Sequence, residues 1–153
     1  MGGSIKRGGS RLRDETGAAL IELAVLLPLL LLLVLGIGDF GRGLYWGITL
    51  THAARAGAQY GAQSIAKSAD SSGIQQAAQN EAQNIGTISV SSAVVCQCPG
   101  GSNVSCTSTT CAGYGAPQVS VLVTTSTTFN TVAPWPGVPR TTALSRTATV
   151  RLQ

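Results

Sequence analysis

One carboxylate interrupts an otherwise apolar run: residues 18–37 read AALIELAVLLPLLLLLVLGI, with Glu22 their only charge and Gly17 closing the basic segment in front of them. At about 1.5 Å per helical residue this run spans roughly 30 Å, the hydrocarbon thickness of a bilayer. A carboxylate deep in lipid costs on the order of 2.5 kcal/mol or more, so Glu22 needs a specific reason to be there. Peptide cleavage after Gly17 would supply one. Ala18 would then carry a new α-amino group, largely cationic at neutral pH and placed at the positive end of a helix dipole. Glu22, the fifth residue of the shortened chain, could neutralise that amine on a neighbouring subunit inside an apolar bundle. Such pairing offsets two desolvation costs and sets the axial offset between subunits. Pro28 removes one backbone donor from the same helix and is expected to bend it.

The second group with chemical potential is Cys96, Cys98, Cys106 and Cys111. All four lie beyond the apolar run, on the oxidising side of a membrane if the amino terminus stays in the cytoplasm, and they read as two disulfides. Four cysteines allow three connectivities. A Cys96–Cys98 link closes a very small ring, so links that staple the Ser/Thr/Gly-rich loop to itself or to its flanks are favoured. The C-x-C-x7-C-x4-C spacing lacks paired C-x2-C knuckles and a nearby His, which argues against zinc.

Other motifs carry less. Gly36-Ile37-Gly38-Asp39-Phe40-Gly41 matches G-x-G-x-x-G, but a dinucleotide site needs that motif after a β-strand, and it follows a leucine-rich helix. Asn103-Val104-Ser105 is formally a glycosylation sequon in a Ser-rich loop. The single His52 falls in a predicted helix and reads as a surface or packing residue. No nucleophile, base and orienting third group can be named together. The reading is of a non-enzyme with no cofactor, no metal and no small-molecule substrate.

The elements that position these residues follow from periodicity. Residues 1–17, MGGSIKRGGSRLRDETG, read as a flexible cytoplasmic leader. Its Lys6, Arg7, Arg11 and Arg13 fit the positive-inside rule, since Arg42 is the next basic residue after the span. Residues 18–38 form the transmembrane helix, which continues over residues 39–67. No proline interrupts that continuation, and small residues recur every fourth position: Gly43 and Gly47; Ala53, Gly57 and Gly61; Ala54, Ala58, Ala62 and Ala66. Each series lies on one helix face and permits close backbone approach. These faces could grip neighbouring helices or the protein's own head, and the spacing fits both.

Residues 68–153 are expected to form an extracytoplasmic α+β head. A short helix is predicted over residues 72–84, with Ile74, Ala77, Ala78, Ala82 and Ile85 at helical spacing. Three antiparallel strands are predicted over residues 87–96, 118–130 and 140–152, the last placing Leu144, Ala148, Val150 and Leu152 on one face with Arg146 at its edge. The cysteine loop 96–111 joins the first two strands.

Taken together, the charged leader, Gly17, Glu22, Pro28, Phe40-Gly41-Arg42 and Ala53-Ala54-Arg55-Ala56-Gly57-Ala58 resemble the TadE-like minor pilins, or pseudopilins, of tight-adherence (Flp-type) pilus systems. Residues 10–67 carry the resemblance, and Arg146-Thr147-Ala148-Thr149-Val150-Arg151 is similar to the end of such proteins. The leader and its junction resemble the class III signal peptides of type IV pilin-like proteins. The resemblance implies cleavage after Gly17 by a prepilin peptidase and pairing through Glu22. It also implies partnership with other pilins and tight-adherence pilus assembly proteins, and residence as a single-pass protein of the bacterial inner membrane until recruitment to a pilus. The main alternative is an uncleaved single-pass anchor carrying a binding or adhesion head. An ordinary secretory signal fits less well, because GIGDFGRG after the leucine run offers no A-x-A-like site.

Composition agrees. With ten Lys and Arg against six Asp and Glu, the chain carries a formal +4, yet Lys6, Arg7, Arg11, Arg13, Asp14, Glu15 and Glu22 crowd its first 22 residues. No basic stripe or aromatic surface remains to bind nucleic acid.

Overall fold

The computed structural model describes residues 11–107, 110–113 and 115–152, with the side chains of residues 11–16 left undescribed. The expected leader thus lies largely outside the described residues. From Arg11 onward, its described backbone belongs to helix α1 (Arg11–Gly61). The chain divides into two compact units, Met1–Phe40 and Gly41–Gln153.

In the first unit every residue from 17 to 35 is exposed. Its Leu, Ile and Val side chains have no protein to pack on, which is the arrangement expected when lipid is the solvent. Among the described residues one helix is long and apolar enough to cross a membrane, with a mean hydropathy of 2.9 in its most apolar window. The helix runs through Pro28 without interruption.

The second unit opens with the last turns of α1. The helix stops at Gly61, short of the expected Lys67. At Ser64 the backbone is extended (φ −164°, ψ 162°) and the hydroxyl accepts from the Lys67 N–H, capping a separate turn, α2 (Ile65–Ser68). A serine that caps a new turn competes with continuation of the old one. Helix α3 (Ser71–Glu81) follows, then a single 3₁₀ turn over Gln83–Ile85.

The sheet is antiparallel, in the order β2-β1-β3-β4, with β1 (Ser89–Gln97), β2 (Asn103–Val104), β3 (Gln118–Asn130) and β4 (Thr141–Arg151). Three of these are the expected strands. The fourth, β2, was not anticipated, because two residues show no alternation. It forms where the Cys96–Cys106 disulfide returns the loop onto β1, pairing Cys96 with Val104 and Gln97 with Asn103.

The core lies between α1, α3 and one face of the sheet. Leu50, Ala53, Ala78, Ala82, Ile85 and Ile88 form one cluster, with Trp46, Val90 and Leu144 against it. Ala58, Ile74, Val121 and Val123 form a second, flanked by Tyr60, Ala148, Val150 and Leu152. β3 descends α1 as it proceeds. Val121 lies against Gly61, Val123 against Gly57, Thr125 against Leu50 and Phe129 against Gly43. From Gly43 to Gly61 the helix advances about 27 Å at about 1.5 Å per residue, and from Val121 to Phe129 the strand advances about 26 Å at about 3.3 Å per residue. The two elements therefore stay in step over their whole contact. The turn between β3 and β4 lies at the Gly41 end of this unit, and the cysteine loop at the Gly61 end.

Candidate functional site

Gly17, Ala18 and Glu22 are all exposed on α1. Ala18 and Glu22 stand one turn apart on the same face. A Cβ placed on Gly17 would meet no atom within 4 Å. Pro28 denies the Ala24 carbonyl its helical donor, because proline has no N–H to give. His52 is exposed on the outer face of α1.

The small residues of the upper helix meet the chain's own head. Ala53, Ala54 and Ala58 are fully buried. A Cβ on Gly57 would stand 3.2 Å from the Ile74 carbonyl oxygen and 3.3 Å from Val123 Cγ1; on Gly61 it would stand 3.0 Å from both Ile74 Cδ1 and Val121 Cγ1. Glycine allows this approach because it carries no side chain. The Phe129 ring lies 3.7 Å from where a Cβ on Gly43 would be, and the Arg146 guanidinium lies over Gly47, with Nη2 3.2 Å from where a Cβ would be. Arg146 thus reaches from the inner face of β4 across α1, with Leu44, Ile48 and Thr51 beside it.

Polar contacts lock the same assembly. Thr125 Oγ1, wholly buried, donates to the Leu50 carbonyl at 2.9 Å. The Tyr60 hydroxyl donates to Asp70 Oδ2 at 2.9 Å, and Asp70 Oδ1 accepts from the Ser72 hydroxyl at 2.6 Å and the Gly73 N–H at 2.9 Å. Asp70 is the N-cap of α3. These donors, led by the Ser72 hydroxyl, hold its carboxyl well below the ordinary 3.8, at about 2. Hydrogen bonds to the ionised form favour that form. At the other end of the unit, Phe129 meets Trp46 edge to face (centroids 5.4 Å apart, 79°), with the Arg42 guanidinium 5.4 Å from the ring centre. This is a favourable place for a cation, over the negative face of the ring.

The four cysteines pair as Cys96–Cys106 and Cys98–Cys111, with Cα separations of 5.2 and 5.7 Å. Two overlapping staples therefore hold a loop that has little apolar surface of its own. Thr125, Phe129 and the Tyr60–Asp70 pair escaped the sequence reading. An Asp ahead of Ser71-Ser72-Gly73 is an N-cap signal, and the odd-numbered positions of β3, followed past Val123, lead to Thr125 and Phe129.

The family model described as TadE-like protein matches residues 17–59. That stretch runs from Gly17 through the apolar run to the helix turns that carry the head, and leaves out the sheet. No curated protein and no solved structure matches the chain.

Proposed function

We propose that this chain, whose residues 17–59 carry the TadE-like match of tight-adherence pilus-associated proteins, is a minor pilin or pseudopilin cut by a prepilin peptidase between Gly17 and Ala18. The observation that carries the reading is where the match begins. It starts at Gly17, with Glu22 the one charge in the apolar run that follows. In this reading the apolar helix holds the protein in the inner membrane with its leader cytoplasmic and its head outside. Cleavage exposes the Ala18 amine, and Glu22 of one subunit neutralises the amine of another within the bundle. Other pilins and assembly proteins of the same system are its partners.

Intact mass tests the processing step. Membrane-extracted protein made together with its cognate peptidase is expected to lack residues 1–17, and a full-length mass under those conditions overturns the proposal. A second reading, an uncleaved anchor bearing a binding head, draws on the burial of Gly57 and Gly61 against the chain's own side chains, which leaves that face closed to neighbours. Glu22→Ala separates the two. A pilus subunit loses assembly while still inserting, whereas a tethered head keeps its function.

A further inference from the structure

We infer that the β3–β4 turn, residues 131–140, is a second membrane contact that docks on an anionic lipid surface. The inference rests on the reading of residues 18–38 as a membrane span.

The turn is closed by backbone hydrogen bonds and apolar at its tip. The Thr131 N–H donates to the Arg140 carbonyl at 3.0 Å, closing its base, and the Val138 N–H donates to the Trp135 carbonyl at 3.2 Å. Pro136 and Gly137 (φ +78°) occupy the central positions of that inner turn, the arrangement a type II turn requires. Val132 and Val138 are 71% and 49% exposed, Pro134 and Pro136 are exposed, and Trp135 is half-buried. Apolar side chains held outward on a closed turn lose little freedom on entering an apolar medium.

Its place in the unit supplies the partner. Phe129, just ahead of the turn, packs on Gly43 and Trp46 and lies under Arg42. The turn therefore belongs to the end of the unit where the chain arrives from the apolar run. From Ile37 to Arg42 even a fully extended chain covers at most about 18 Å, so Arg42 stays within that distance of the end of the apolar run. Arg140 is basic and exposed, and residues 131–140 contain no acid. Tryptophan favours the headgroup level, and arginine favours anionic headgroups within a Debye length of the surface. An anionic lipid surface suits the apolar tip and the Arg140 charge together.

Tryptophan fluorescence tests this in the full-length chain. The chain has two tryptophans, so Trp46→Phe leaves Trp135 alone. In vesicles of phosphatidylcholine and phosphatidylglycerol, bromine on the acyl chains is expected to lower Trp135 emission at least about two-fold, as for an interfacial ring. Val132→Asp in the same background should restore most of that emission. Should Trp46→Phe fail to keep both disulfides, the unmutated chain serves instead: its bromine-sensitive emission should vanish on Trp135→Phe. Flotation of the vesicles after an alkaline wash reports insertion separately. A chain that does not float overturns the spanning reading and this inference with it. One that floats while Trp135 ignores bromine overturns the docking alone, whether aqueous iodide quenches the ring or protein shields it from both.

Discussion

The Thr125 hydroxyl of β3 donates to the Leu50 carbonyl of α1 across 2.9 Å, with both residues fully buried. This bond ties strand to helix at the middle of their contact, between the Gly57 and Gly43 crossings. The Leu50 carbonyl keeps its helical donor if the hydroxyl is lost, so no acceptor is stranded. Thr125→Val should therefore cost about 1 kcal/mol, the net worth of one hydrogen bond. Urea unfolding of the detergent-solubilised chain measures it.

The Asp70 carboxylate gives the head an acid-sensitive joint. Its folded pKa of about 2 lies below its ordinary 3.8, so folding favours the ionised form. The stabilisation is fully present above about pH 4 and is lost as pH falls through about 2. Asp70→Asn should lower the melting temperature at neutral pH and flatten its decline across that window. Melting followed by circular dichroism at graded pH reads both effects.

Two glycines of the same helix should respond in opposite directions to alanine. Any Gly→Ala change gains about 1 kcal/mol of helix propensity. At Gly57 the new methyl meets a backbone carbonyl at 3.2 Å, which cannot swing aside, and overpacking costs about 1–3 kcal/mol. Gly57→Ala is expected to destabilise the head by about 1 kcal/mol. At Gly41 a Cβ meets nothing within 4 Å, and Gly41→Ala should stabilise by up to about 1 kcal/mol. Parallel unfolding curves decide the pair.

Removing Cys96–Cys106 by a double Ser substitution should cost about 2–3 kcal/mol, the chain-entropy value for a loop of this length. The loss should also free Asn103 and Val104 from β1, since the staple returns them to it. Amide exchange at Val104 is expected to quicken markedly while exchange at Val121 stays slow.

Much of this architecture was legible where periodicity speaks. The alternation from Val119 onward marks a strand whose bounds, Gln118–Asn130, coincide with the expected ones. The apolar run announces, through length and composition, a helix able to cross a membrane. What escaped depends on contacts made at a distance in sequence. The stop at Gly61 is set by Ser64 capping a new turn, a choice that a proline-free stretch rich in alanine does not advertise. The two-residue β2 exists through a disulfide, and four cysteines do not reveal their partners. The spacing-of-four glycines were readable as a close-packing face, but spacing carries no information on what packs there. The answer for Gly57 and Gly61 came from Ile74, Val121 and Val123.

Helix and strand climb the head with different strides, and this makes their lengths commensurate only at intervals. Deleting two residues of β3 keeps its side chains on the same face and shortens it by about 6.6 Å. The helix can follow only by losing about four residues, close to one full turn, which returns the same side to the sheet. Single-residue deletions in either element would rotate or invert everything beyond them. Insertions and deletions that leave the head intact should thus occur as a coupled vernier, one turn of α1 for each pleat of β3 and of its neighbours.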